Sequence, residues 1–445
     1  MKGKIERRVF VKGAASAVVG LAGMPAVLWG RDDRRVRLGI IGTGGRGRSL
    51  LGLVLRREDC DVNAICDVDP EAIQRSQRMI RDAGAPEAAV YDAGEEDFRN
   101  LVQRDDLDAV IIATPWLWHT PMAVAAMRAG KQVGVEVPAA TTIEGCWDLV
   151  NTSLETGIPC TMLENVCYRR DVMAVLNMVG QEMFGELVHC HCGYQHDLRP
   201  VKFDPGAEFG PGARGEARWR TAHAVHRNGD LYPTHGAGPV ANWLRINYGN
   251  RFATLTSTAT KTRGLHEYIV AQGGEDHPNA SVRFALGDIV TTVIRTANGE
   301  TVVVSHDTNL PRPYSLNFRV QGTRGIWMDD NRSIYLEGVS PESDAWEPFE
   351  TYQRRYDHPL WRRYEADATG AGHGGMDFFV VHGFVESVKR RVPPPLDVFF
   401  AATVSVISPL SEQSIAHGSE PVAFPDFTRG EWARRKFTFG MSDEF

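Results

Sequence analysis

Six residues near the start of the chain, Gly42-Thr43-Gly44-Gly45-Arg46-Gly47, have the G-x-G-x-x-G spacing that lets a backbone turn approach a phosphate. They follow an apolar run, Val36 to Ile41, and open a helical one, Arg46 to Leu55. Asp67 ends the next apolar run, 20 residues after Gly47. In that setting the glycines bring a helix N-terminus against a pyrophosphate, and the carboxylate accepts from ribose hydroxyls. A carboxylate there repels a 2′-phosphate, so the expected cofactor is NAD rather than NADP. A tight structural turn with an incidental Asp is the plainer alternative; the strand–loop–helix context argues against it.

Other residues have the types for proton or metal chemistry. Tyr232-Pro233-Thr234-His235-Gly236 holds a histidine and a tyrosine close together. On residue type alone His235 is either a general acid/base or a hydrogen-bonded loop histidine, and both readings stand. His189-Cys190-His191-Cys192, with His196, has the look of metal-ligand spacing. Strand alternation sends the two histidines to one face and the two cysteines to the other, so they do not converge on one ion, and no metal is expected. Leu265-His266-Glu267-Tyr268 lacks the second histidine of a zinc protease motif. His373-Gly374-Gly375-Met376-Asp377 opens a helix; capping is its expected role, or lining of a cleft if the segment returns to one.

The elements that must position these groups fall into two sets. From Val36 to Leu163 short apolar runs alternate with helical ones: strands at Val36 to Ile41, Asp61 to Cys66, Leu107 to Ala113, Gln132 to Val135 and Cys160 to Leu163, and helices at Arg46 to Leu55, Glu71 to Ala83, Thr120 to Arg128 and Thr142 to Thr156. Such alternation predicts an α/β, doubly wound parallel sheet, a Rossmann domain over residues 33–164. Residues 165–445 are predicted to form an α+β domain with a largely antiparallel sheet. Its expected strands are Leu187 to Tyr194, Ala253 to Thr260, Ala280 to Phe284, Ile289 to Thr296, Thr301 to Asp307 and Tyr314 to Gln321. Asn298-Gly299 marks a hairpin turn. Helices follow at Met376 to Lys389 and Val398 to Ser411.

The ends and the composition bound the setting. Arg7-Arg8 precede Val9-Phe10-Val11-Lys12 and then a small, apolar run from Gly13 to Gly30. That is a twin-arginine export signal over residues 1–32, implying passage through the twin-arginine translocase to the periplasm or beyond. No later stretch is expected to span a bilayer. The net charge of −7 argues against a nucleic-acid or anionic-membrane partner. Seven cysteines, an odd number set mostly in apolar runs, read as buried thiols rather than a disulfide framework.

Two further segments carry a resemblance. Ala113-Thr114-Pro115-Trp116-Leu117-Trp118-His119 and Gly130-Lys131-Gln132-Val133-Gly134-Val135-Glu136-Val137-Pro138 resemble the hallmark segments of the Gfo/Idh/MocA family of NAD(P)-dependent sugar oxidoreductases. One departure matters. Family members usually carry Glu-Lys-Pro in the second segment, with the lysine near the reacting hydroxyl. Here Val137 stands in its place, and a valine does no proton chemistry.

That departure, the twin-arginine signal and Tyr232-Pro233-Thr234-His235-Gly236 together resemble glycoside hydrolase family 109, NAD-dependent α-N-acetylgalactosaminidases of the same superfamily. The resemblance implies NAD contacts at Gly45, Arg46, Asp67, Trp116, Leu117, Trp118, His119, Glu136, Val137 and Asn165. It implies substrate contacts at Tyr194, Arg220, Tyr232, Pro233, Thr234, His235 and Tyr314, with His235 and Tyr194 as the proton-transfer groups. The implied reaction is transient oxidation at C3 of a sugar, elimination of the C1 aglycone after loss of the C2 proton, and water addition, with no net redox change. It dispenses with the usual glycosidase carboxylate pair. The substrate would be a small glycoside or the terminal sugar of a glycan, and the chain could also pair with copies of itself as a homo-oligomer. The competing readings are an exported sugar oxidoreductase, for which a lysine at 137 would be expected, and a catalytically silent sugar- or nucleotide-binding protein.

Overall fold

The computed structural model describes residues 34–445. The twin-arginine segment lies outside the described residues.

The first sheet has six parallel strands: β1 (Val36–Ile41), β2 (Cys60–Cys66), β3 (Ala89–Tyr91), β4 (Ala109–Ile112), β5 (Gln132–Val135) and β6 (Cys160–Met162). Their spatial order is β3-β2-β1-β4-β5-β6, so the winding reverses between β1 and β4. That reversal opens a crevice at the carboxyl ends of the strands, where α/β sheets bind ligands. All four residues of β4 are buried, as a strand covered on both faces requires. The cover includes a helix from far along the chain, Met376–Arg390. A Cβ on Gly134 of β5 would stand 3.2 Å from the Phe384 ring of that helix, and Gln132 Nε2 donates to Ser387 Oγ at 2.9 Å. The chain thus leaves the first sheet after β6 and later returns to pack on it.

The second sheet has nine strands and is mostly antiparallel. At its centre, strand Leu187–Gln195 runs parallel to Thr301–Asp307, with Tyr194 level with His306, and antiparallel to Arg319–Gly322. The Ile289–Thr296 and Thr301–Asp307 hairpin turns at Asn298-Gly299. Alternation on Leu187–Gln195 is as the sequence requires. Cys190 and Cys192 are fully buried, while His189 and His191 stand ring to ring, 4.8 Å apart. All seven cysteines are buried free thiols.

Several elements differ from the sequence reading. Ala280 to Phe284 is no strand. A 3₁₀ turn, Pro278–Ser281, occupies its start, with His277 accepting from the Asn279 N–H and Pro278 at its first position. Of Tyr314 to Gln321, only the end joins a ladder, as Arg319–Gly322. Asn317, at φ 49°, interrupts the run, leaving Ser315 an isolated bridge to Gln195. The helix predicted over Val398 to Ser411 is two, Val398–Ser405 and Ile407–Ala416. Pro409 has no N–H for the Ser405 carbonyl, and its ring crowds that turn. Contrary to expectation, residues 398–416 are by length and composition apolar enough to cross a membrane; 72% of an 18-residue window within them is buried inside the protein, as core helices are.

Candidate active site

Five strand ends deliver the predicted cofactor residues to one crevice. β1 leads into Gly42, β2 into Asp67, β4 into the Trp116–Trp118 turn, β5 into Glu136 and β6 into Glu164 and Asn165. The glycine loop is tight where the helix must meet the strand. A Cβ on Gly47 would lie 1.9 Å from the Gly42 oxygen. Gly44 and Gly45 are the opposite case, because a Cβ on either would meet nothing within 4 Å. The helix Gly45–Leu55 begins there with no side chain capping it, so its first N–H groups face open space. Asp67 Oδ2 accepts from Thr43 N at 2.6 Å and Thr43 Oγ1 at 3.1 Å, which ties the second strand end to the loop. This cradle fits a dinucleotide.

The second hallmark segment is built around charge. Arg46 Nε donates to Glu136 Oε1 at 2.6 Å, and Arg46 Nη1 to Asp377 Oδ2 at 2.7 Å. Asp377 is fully buried. It also accepts from Asn165 Nδ2 at 2.8 Å and pairs with His373 Nδ1 at 2.7 Å. Burial raises the Asp377 carboxyl, but the His373 hydrogen bond and the Arg46 charge outweigh it and hold it well below the usual range. Asn165 Oδ1 is buried without a partner among the described residues, an acceptor left for a ligand. Val137 is buried, and its N–H donates to Glu136 Oε2 at 3.2 Å.

The Trp116–His119 segment divides its tasks. Trp116 is buried and stacks on Tyr232 with centroids 5.5 Å apart. Leu117 is exposed, and Trp118 packs edge-on to Phe98. The His119 side chain is fully buried, with Nδ1 2.7 Å from the Pro138 carbonyl and Nε2 2.8 Å from the Thr114 carbonyl. Its ring joins the two hallmark segments, so it holds the crevice wall.

The predicted substrate residues gather beside this wall. Tyr232 and Pro233 are buried and lead into the helix Thr234–Trp243, where His235 occupies the first turn. The helix sits directly on the second sheet, because a Cβ on Gly236 would lie 2.6 Å from the Gly193 nitrogen. That close approach brings His235 to Tyr194, centroids 5.5 Å apart, and to Tyr232, 5.0 Å apart. Thr234 Oγ1 is buried and has no partner among the described residues. Arg220 lies over the rings of Trp116, Trp219 and Tyr232, at 4.7, 5.2 and 5.2 Å. Tyr314, 49% exposed, stands at the rim against Tyr194.

Sequence reasoning missed three partners. Glu164, fully buried at the end of β6, places Oε1 2.6 Å from His235 Nδ1. Its Oε2 is buried and has no partner among the described residues. His196 Nδ1 lies 3.1 Å from Tyr194 Oη. Asp377 ties Arg46 to Asn165, which are far apart in sequence. A carboxylate just before the predicted contact Asn165 was the local signal for the first; His196 stood out only within a spacing set aside as a metal site, and Asp377 belongs to the helix-opening segment expected to line a cleft if it returned to one, as it does.

Residues 36–163 match the oxidoreductase family with an NAD-binding Rossmann fold, and residues 168–434 match the glycosyl hydrolase 109 C-terminal domain. A glycosyl hydrolase family 109 protein of Stenotrophomonas maltophilia (strain K279a) is 52% identical, covering 99% of both chains. The chain belongs to glycosyl hydrolase family 109. Another relative, the alpha-N-acetylgalactosaminidase of Tannerella forsythia, is 48% identical over 98% of this chain and 99% of its own. Among solved structures, levoglucosan dehydrogenase in complex with NADH superposes with a TM-score of 0.66 at 20% identity, over 88% of this chain and all of that one, a likeness of fold. This family 109 chain is therefore a glycoside hydrolase whose cofactor is NAD.

Proposed function

We propose that this family 109 enzyme is an exported α-N-acetylgalactosaminidase that cleaves terminal sugars by elimination and water addition. The observation that carries the reading is the Glu164–His235 pair set among Tyr194 and Tyr232, beside a hallmark segment whose lysine is replaced by Val137. The same specificity is in the name of the Tannerella forsythia relative.

NAD, when bound, supplies reversible oxidation of a sugar ring carbon. Gly44 to Arg46, Asp67, Glu136 and Asn165 are the residues that would hold it. The chain's own groups then move protons. Glu164 accepts at Nδ1 of His235, which makes Nδ1 the protonated nitrogen and leaves Nε2 a lone pair for the C2 proton. Among the described residues nothing else engages that nitrogen. Once C3 is a ketone the C2 proton is acidic; as His235 takes it, the C1–O bond breaks and the aglycone oxygen needs a proton. Tyr194 suits that donation, because burial pushes its phenol up to about 12 and keeps it protonated at neutral pH. Arg220 and its three aromatic rings make a rigid, apolar-faced wall against which a sugar can be oriented.

Hydrolysis of an α-N-acetylgalactosaminide in heavy water tests the scheme. The released sugar should carry deuterium at C2, with no net NADH formed. Cleavage without C2 exchange would defeat the elimination route, and accumulation of NADH would favour a dehydrogenase.

A further inference from the structure

His373 and Asp377 lie outside every segment assigned to cofactor or substrate, yet they reach the glycine loop. They sit where the helix Met376–Arg390 begins, at the end of the Gly370-Ala371-Gly372-His373-Gly374-Gly375 turn. One Asp377 oxygen, Oδ2, is shared by His373 Nδ1 and Arg46 Nη1, each at 2.7 Å. The His373 ring is therefore one carboxylate oxygen away from the first turn of the glycine-loop helix. The ring is well exposed, whereas the carboxylate beneath it is wholly buried. His373 also adopts φ 43°, a left-handed conformation that costs a non-glycine residue free energy, so the turn holds the imidazole there against a local preference.

The second Asp377 oxygen fixes a different group. Because Oδ1 can only accept, Asn165 must present its amide Nδ2, and its buried Oδ1 is left facing a ligand. Charge gives the arrangement a purpose. Arg46 is matched by two carboxylates, Glu136 and Asp377, so its charge is already balanced within the protein; Arg48, whose Nη1 donates to the Thr43 carbonyl at 2.7 Å, is a second cation at the loop. A diphosphate there is held better with a further cation facing it.

We propose that His373 is a further NAD-binding residue, whose outward imidazole N–H donates to the diphosphate, and that Asp377 is the positioning residue that holds His373, Arg46 and Asn165 in place for the cofactor. This rests on the NAD site and not on the elimination mechanism. The charged groups facing His373 are Asp377 below it, Arg46 on the glycine-loop helix and Glu136 beyond β5. The hydrogen bond to Asp377 raises the His373 pKa and favours the cation.

The test is binding by the full-length protein stripped of cofactor, followed by quenching of tryptophan fluorescence. His373→Ala should weaken NAD and ADP-ribose about tenfold near pH 6, the loss of a charge-assisted hydrogen bond, and leave adenosine unchanged. Wild-type NAD affinity should fall as pH rises from about 6 to about 9, as the imidazolium loses its proton; His373→Ala should lose that dependence. Asp377→Asn should weaken NAD binding and flatten the same pH dependence. Wild-type affinity and pH dependence in His373→Ala would overturn the proposal, as would an equal loss for adenosine.

Discussion

His235 Nδ1 lies 2.6 Å from Glu164 Oε1, joining the first turn of a helix on the second sheet to the last strand end of the first. The same Glu164 oxygen accepts from the Val166 N–H at 3.0 Å, so the carboxylate is anchored before the imidazole reaches it. One bond thereby sets both the tautomer of the proposed base and its distance from the cofactor crevice.

Glu164→Gln should keep the shape and lose the anchored acceptor. The kcat on a nitrophenyl α-N-acetylgalactosaminide should fall about 10²–10⁴-fold, the range for a misoriented catalytic histidine. NAD content of the purified variant should be unchanged. An unaltered kcat would remove Glu164 from the proton path.

Tyr194→Phe keeps the ring against Tyr232 and His235 and removes only the hydroxyl. Cleavage of a glycoside with a poor leaving group should drop about 10²-fold or more, and one with an activated nitrophenyl aglycone should drop less. Burial, opposed by the Arg220 charge, pushes the phenol up to about 12. Its ionisation therefore gives no alkaline loss of activity below about pH 10. An alkaline limb near pH 8 that vanishes in the variant would contradict the donor role.

Asp67→Ala removes the acceptor of the Thr43 N–H and hydroxyl as well as a ribose acceptor. Equilibrium dialysis should show NAD binding weakened about tenfold or more. Full NAD occupancy after extensive dialysis would place the ribose elsewhere.

Gly236→Ala would drive a methyl group to 2.6 Å from the Gly193 backbone nitrogen. The helix carrying His235 must move off the sheet, at a cost of about 1–3 kcal/mol in stability. Urea titration should show that loss together with reduced kcat. A variant as stable and active as wild type would mean that the contact is loose.

Asp230 supplies a pH signature of stability. It is fully buried, Oδ2 has no partner among the described residues, and burial pushes its carboxyl up to about 7. A folded pKa above the unfolded value of about 3.9 means its contribution is most favourable below pH ~4 and is lost as pH rises through about 7. Asp230→Asn stays neutral, so its melting temperature relative to wild type should rise by a few degrees, on the order of 2–4 °C, between pH 5 and pH ~8. A difference that does not change with pH would show the carboxyl to be neutral throughout or solvated.

The cofactor half of the site was legible because its signals are local. Gly42 to Gly47 and Asp67 are fixed by a strand, a turn and a helix that follow one another, and β1, β2, β4, β5 and β6 lie within a residue or two of their predicted runs. β3, three residues long at Ala89–Tyr91, is too short to show a period and was not read. In the second part, Ala280 to Phe284 has the alternation of a strand, with Ser281 and Arg283 between apolar residues, but Pro278 and the His277 cap turn the chain before a ladder can form.

Residue types and spacing alone determined the NAD-binding α/β half; the replacement of a lysine by Val137 and the short list that contained His235 and Tyr194 came from the resemblance to the Gfo/Idh/MocA family and to family 109. Tertiary structure alone decided which carboxylates serve them. Glu164 meets His235 across 71 positions, and Asp377 meets Asn165 across 212 and Arg46 across 331. Such pairs leave no periodic trace in the chain, because they arise only when two sheets pack and a late helix folds back over the first. Burial then makes each partner obligatory: an acceptor stripped of water must be satisfied by whichever donor the packing brings to it.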